Sequence, residues 1–102
     1  MSEPMTAIRH VTIRGRVQGV GYRAFVDDVA RRRGLEGWVR NRRDGSVEAV
    51  FAGPPDDVAQ MIAECHSGPS LARVETVNET PADAALLDQR PAGQRFAVLP
   101  TL

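Results

Sequence analysis

The period of the apolar positions changes several times along the chain. In residues 7–14, AIRHVTIR, Val11 and Ile13 alternate with Thr12 and Arg14, the period of two expected of a strand. From Tyr22 the period lengthens. Tyr22, Phe25, Val26, Val29 and Ala30 fall at i, i+3, i+4, i+7 and i+8, which is one apolar stripe on a helix. Arg31 to Arg33 followed by Gly34 predict its end, with cations at the negative end of the dipole and a glycine stop. Residues 36–43 and 46–52 read as two strands around Asp44-Gly45, with Val47, Ala49 and Phe51 facing inward. Gly53-Pro54-Pro55 breaks the sheet. A second helix is predicted from about Pro55 to Ser67, with the stripe Val58, Met61, Ile62, Cys65 and with Asp56 and Asp57 in its first turn. Gly68-Pro69-Ser70 ends it. Residues 71–79 read as a fourth strand, 80–93 as a loop, and 94–99 as a short last strand with Phe96 and Val98 on one side.

This order predicts an α+β, ferredoxin-like split β-α-β sandwich: βαββαβ with a short extra C-terminal strand. Two helices should cover one face of an antiparallel sheet. At 102 residues the chain suits a single domain over 1–102, with residues 1–6 expected to be flexible. The Pro-Thr-Leu end without a linker is expected of a free-standing protein rather than an excised domain.

Composition narrows the classes of function. No apolar run approaches the ~18 residues of a membrane span, and MSEPMT lacks the basic and apolar segments of a signal peptide. The single cysteine, Cys65, cannot form an internal disulfide, which favours a reducing cytoplasm. The formal net charge is zero, yet residues 1–51 hold ten Arg against six acids and residues 52–102 hold three Arg against seven. There is no Lys. The basic excess surrounds a glycine-rich stretch, which suits a small anion gripped by a planar guanidinium. A nucleic-acid binder would more often be basic overall.

That stretch is Gly15 to Arg23, GRVQGVGYR. It lies between a strand and a helix N-terminus, where free main-chain N–H groups and the helix dipole make an anion site. Glycines let such a backbone curl so that successive N–H groups converge. Gly19 to Ala24 also matches the dinucleotide pattern G-x-G-x-x-A, but the chain has no doubly wound parallel sheet to support it. A Walker loop needs Lys followed by Ser or Thr, and neither is present. A purely structural turn and a pocket for one phosphoryl group both remain.

A second stretch, residues 37–53, reads GWVRNRRDGSVEAVFAG. Here the chain resembles the acylphosphatase family. The family shows G-R-V-Q-G-V-G-F/Y-R in the loop and G-W-V-x-N-x-x-x-G-x-V-x-x-x-x-x-G over the hairpin. Gly15 to Arg23 matches the first without a gap, and Gly37, Trp38, Val39, Asn41, Gly45, Val47 and Gly53 match the second in register. The resemblance continues through GPSLARV, Gly68 to Val74, to Arg95-Phe96, and covers about residues 7–99. It departs in the tail Phe96 to Leu99, which lacks a final basic residue, while the loop from Asp83 to Gly93 is unremarkable.

The resemblance implies hydrolysis of the carboxyl–phosphate bond of acyl phosphates. Arg23 matches the family's phosphate-binding arginine and Asn41 the asparagine that holds the attacking water. Arg16, Val17, Gln18, Gly19, Val20, Gly21 and Tyr22 match its phosphate-binding loop. Phosphoryl transfer asks a protein mostly for positioning and for charge stabilisation, which such groups provide. The expected substrate is a small-molecule acyl phosphate, handled without cofactor or metal by a cytoplasmic monomer that meets neither nucleic acid nor membrane. The alternative is a non-catalytic phosphate-ligand or RNA-binding module on the same fold. The five aromatics, however, form no RNA-binding sheet motif.

The remaining polar suspects read as structural. His10 sits on a strand, His66 ends a helix where its charge suits the dipole, and Cys65 belongs to an apolar stripe. Arg31 to Arg33 read as a solvated helix end and Trp38 as packed.

Overall fold

The computed structural model describes residues 6–102, so most of the segment expected to be flexible lies outside the described residues. Strand β1 (Ala7–Arg16) leads through the glycine loop into helix α1 (Tyr22–Arg32). Strands β2 (Glu36–Asn41) and β3 (Val47–Gly53) form a hairpin, followed by α2 (Pro55–Ser67) and β4 (Arg73–Pro81). A short helix α3 (Ala84–Leu87) and strand β5 (Phe96–Val98) complete the chain. The sheet order is β4-β1-β3-β2-β5.

Strands β1 to β4 are mutually antiparallel neighbours, as the pattern predicts, whereas β5 runs parallel to β2. The reason is topological. The chain leaves β4 at one edge and reaches β5 at the other, entering from the end of the sheet at which β4 stops.

Both predicted helical stripes are buried except for Phe25, which is only partly covered. Val26, Val29 and Ala30 of α1 and Val58, Met61, Ile62 and Cys65 of α2 pack on Val11, Ile13, Ala49 and Phe51 of the sheet. The α1 stripe ends where the Leu35 N–H donates to Ala30 O and the Gly34 N–H to Arg31 O, a turn that closes the helix through its last carbonyls. Tyr22 is fully buried, and its hydroxyl donates to Cys65 O at 2.6 Å, tying α1 to α2.

Residues 80–93, expected as a loop, contain α3. Asp83 caps it by accepting from the Leu86 N–H at 3.1 Å, which fixes one of the free donors of the first turn. This segment crosses the sheet face opposite the two long helices. There Leu87 covers Trp38, Val50, Ala52, Ala97 and Leu99, a second and smaller core. Trp38 is packed as expected, with its indole N–H donating to Leu86 O at 2.9 Å. The sheet therefore has a cover on both faces.

Candidate active site

The loop between β1 and α1 contains two left-handed turns. Gly19 has φ 74° and Gly21, which caps α1, has φ 80°, a region that disfavours any side chain with a Cβ. These turns lift the loop away from helical geometry. Among the described residues, no main-chain N–H of residues 18–24 donates to a main-chain carbonyl, and the first to do so is that of Phe25, to Gly21 O at 3.0 Å. A run of free donors therefore stands at the positive end of α1.

Arg23 follows in the first turn of α1 and lies against a cleft of about 410 Å³ that also receives Gln18, Gly19, Gly21, Tyr22 and Asn41. Its guanidinium forms no ion pair among the described residues. Asp27, one turn further on the same helix, lines the cleft but accepts instead from Arg31 Nε at 2.8 Å. Asn41 is the last residue of β2. Its Oδ1 is buried and has no hydrogen-bond partner among the described residues. Its main chain is held by the segment after β5, where the carbonyl accepts from the Leu102 N–H at 3.1 Å.

Gln18 joins the two halves of the cleft. Its Nε2 donates to Arg42 O and to Ser46 O, both at 2.8 Å. The glycine loop is thereby tied to the hairpin turn directly after Asn41. The turn is itself stiffened, because Asp44 Oδ1 accepts from the Ser46 N–H at 2.9 Å and from its hydroxyl at 2.6 Å. Those hydrogen bonds, with Arg14 adding to them, hold the Asp44 carboxyl at about 2.

The sequence and the fold are similar to those of known proteins. A family model described as acylphosphatase matches residues 9–90. A curated relative named acylphosphatase, from Rhodopseudomonas palustris (strain BisB18), is 61% identical over 95% of this chain and 98% of its own length. Another of that name, from Bradyrhizobium diazoefficiens, is 60% identical over 94% of this chain and 97% of its own. The solved structure of an acylphosphatase from Coxiella burnetii superposes with a TM-score of 0.80 at 32% identity, covering 92% of this chain and 93% of that one. The chain belongs to the acylphosphatase family.

In this acylphosphatase-family enzyme, the residues singled out in the sequence do not all meet in one place. Val17, Gln18, Gly19, Gly21, Tyr22, Arg23 and Asn41 line the cleft, but Tyr22 does so beside a hydroxyl committed to α2. Burial pushes the Tyr22 phenol well above its ordinary range, so the group is a neutral packing element. Arg16 is still part of β1, and with Val20 it lines a neighbouring depression instead. Val98, exposed on β5, forms part of the cleft wall. Sequence reasoning gave it no role, because nothing local to Phe96 to Val98 signals that β5 lies beside Asn41.

The arginine excess is also largely spent within the fold. Arg40 Nε and Arg42 Nη1 donate to Glu48 Oε1 at 2.7 and 3.1 Å, and His10 Nε2 lies 2.6 Å from Glu48 Oε2. Burial alone would raise the Glu48 pKa. The hydrogen bonds from His10, Arg40 and Arg42 outweigh it and hold the carboxyl below its ordinary value. Cys65 is buried, and burial pushes its thiol up to about 12, which leaves it an inert core group.

Proposed function

We propose that Arg23, the free main-chain N–H groups of the glycine loop and Asn41 carry the hydrolysis of acyl phosphates by this enzyme. The reaction gives a carboxylate and inorganic phosphate. The observation that carries the assignment is the Arg23 guanidinium, without an ion pair among the described residues, lining the same cleft as Asn41.

The transferred phosphoryl group spreads negative charge over three equatorial oxygens. Free N–H donors at a helix N-terminus and a planar guanidinium stabilise that charge without having to reorganise. Asn41 has an amide N–H that can donate to one lone pair of a water, which keeps its other lone pair for phosphorus. The leaving group is a carboxylate whose acid has a pKa of roughly 4, so it departs without a proton. No general acid and no Lewis acid are needed. A phosphate ester, whose alkoxide leaving group needs protonation, is a poor substrate for the same groups. Among the described residues there is no cluster of three His, Cys, Asp or Glu side chains suited to a metal, and no helix is long and apolar enough to cross a membrane. The working picture is a metal-independent, monomeric, cytoplasmic enzyme that binds no nucleic acid.

Benzoyl phosphate hydrolysis and calorimetric titration with inorganic phosphate test the roles. Arg23→Ala should abolish both turnover and phosphate binding. Asn41→Ala should remove turnover while phosphate affinity stays within about twofold, since water rather than phosphate has lost its partner. Equal phosphate affinity in wild type and Arg23→Ala would remove the arginine from its assigned role.

A further inference from the structure

Beside the catalytic cleft the fold brings together a second cationic site. Past the irregularity at Arg14 and Gly15, the β1–β4 ladder sets Arg16 directly opposite Arg73. Like charges facing each other across two strands are destabilising unless something neutralises them. Most arginines of this chain have a carboxylate or carbonyl partner, but neither Arg16 nor Arg73 forms an ion pair among the described residues. Among the described residues, their nearest acids along β4 form no ion pair with them. Glu79 is engaged by Arg9 at 2.8 Å, and Glu75 forms no ion pair among the described residues.

Both arginines line a depression of about 440 Å³ together with Ser70, Leu71, Gly19 and Val20. Among the described residues, no carboxylate lines it. Ser70 adds a hydroxyl, and Leu71, 71% exposed, adds an apolar wall that nothing else in the fold covers. Gly19 borders this depression and the catalytic cleft alike. The place where its Cβ would stand has no atom within 4 Å, so the rim between the two hollows is low and open.

We propose that Arg16, Arg73 and Ser70 form a second oxyanion subsite, which takes a carboxylate or phosphoryl group. That group is either the far end of the acyl phosphate held by Arg23 or a separate anion. Two neighbouring guanidinium groups suit a planar carboxylate or a phosphate face, each able to offer paired hydrogen bonds. The first source rests on the reading of the catalytic cleft given above; the second does not.

The test compares acetyl phosphate with succinyl phosphate, whose acyl chain ends in a carboxylate, in wild type, Arg73→Gln and Arg73→Lys. Arg73 is exposed on an edge strand, so the variants keep the core. Inorganic phosphate is titrated in parallel while the amide resonances of residues 70–73 are followed. If the substrate spans both hollows, Arg73→Gln raises the KM for succinyl phosphate about fivefold relative to acetyl phosphate, and Arg73→Lys restores much of it. If the anion is separate, the KM ratio is constant. Phosphate then shifts residues 70–73 along its own binding curve in wild type, and Arg73→Gln removes that curve. A constant ratio with no second curve overturns the subsite. Failure of wild type to hydrolyse acetyl phosphate at all would instead strike the catalytic assignment.

Discussion

Single side chains hold this site together through what they are bonded to. Gln18 spends both amide hydrogens on two carbonyls of the hairpin turn, at 2.8 Å each, and so fixes the distance between the glycine loop and Asn41. Gln18→Ala leaves those carbonyls short of a donor and frees the loop to drift. Misplacement by a fraction of an ångström weakens positioning, so kcat for benzoyl phosphate should fall about tenfold while the fold survives. A Gln18→Ala enzyme with wild-type kcat would show that the loop needs no such tether. Glu48 is a different case. It is 7% exposed and surrounded by His10, Arg40 and Arg42, and the two guanidinium charges depend on it for compensation. Glu48→Gln leaves the Arg40 and Arg42 guanidinium groups facing a neutral amide, at a cost of about 2 kcal/mol, less than a fully buried pair because Arg42 is partly solvated. The sign of the pH dependence follows from the lowered pKa. The stabilisation is present above the ordinary carboxylate value of 4.5 and is lost as pH falls through the lower folded value. Denaturant unfolding between pH 7 and pH 3 should therefore show a steeper acid loss in wild type than in Glu48→Gln.

At the scale of elements, the two faces of the sheet divide the work. The face under α1 and α2 carries the main core and aims the loop, while the face under α3 carries a smaller core that reaches Trp38 and β5. Leu87→Ala removes the side chain of α3 that seals this smaller core. The expected cost is about 2 kcal/mol, read as a lower Tm, with kcat for benzoyl phosphate retained because Leu87 touches nothing in the cleft. A large loss of turnover at unchanged Tm would mean that α3 governs the site directly. The long elements were legible in the sequence for a simple reason. Their apolar positions repeat with one period over many residues, as in Val58, Met61, Ile62 and Cys65, and tertiary packing had only to agree. α3 was not legible because four residues, Ala84 to Leu87, are too few for a period to declare itself. The one signal present was Asp83 ahead of an apolar pair. The parallel β5 was not legible either, since strand direction at a sheet edge depends on where a long connection crosses.

For the whole molecule, the question is how a chain of this size tolerates, in one cleft, N–H groups and a guanidinium that have no partner among the described residues. Arg23 and Asn41 are 18 residues apart in sequence, and the resemblance of two motifs identified them as partners. Spacing alone does not bring them together; the βαβ crossover and the hairpin do. Arg16 shows the limit of that route. It belongs to the same motif, yet the strand carries its side chain into the neighbouring depression opposite Arg73. Free donors and a free cation close together leave the empty fold with unfavourable local electrostatics, which an anion relieves. Binding to the native state alone must then stabilise the entire domain, by RT ln(1 + [L]/Kd). At inorganic phosphate equal to ten times its Kd, this is about 1.4 kcal/mol, or a rise in Tm of roughly 6–10 °C for a domain near 100 residues. Chloride at matched ionic strength should give little of it, since a single monovalent atom cannot reach the loop and the Arg23 guanidinium at once as the several oxygens of phosphate do. Arg23→Ala should lose most of the phosphate effect, and Asn41→Ala should keep it. If all three proteins show the same rise, phosphate is stabilising the fold through its general salt effect, and the cleft is not its seat.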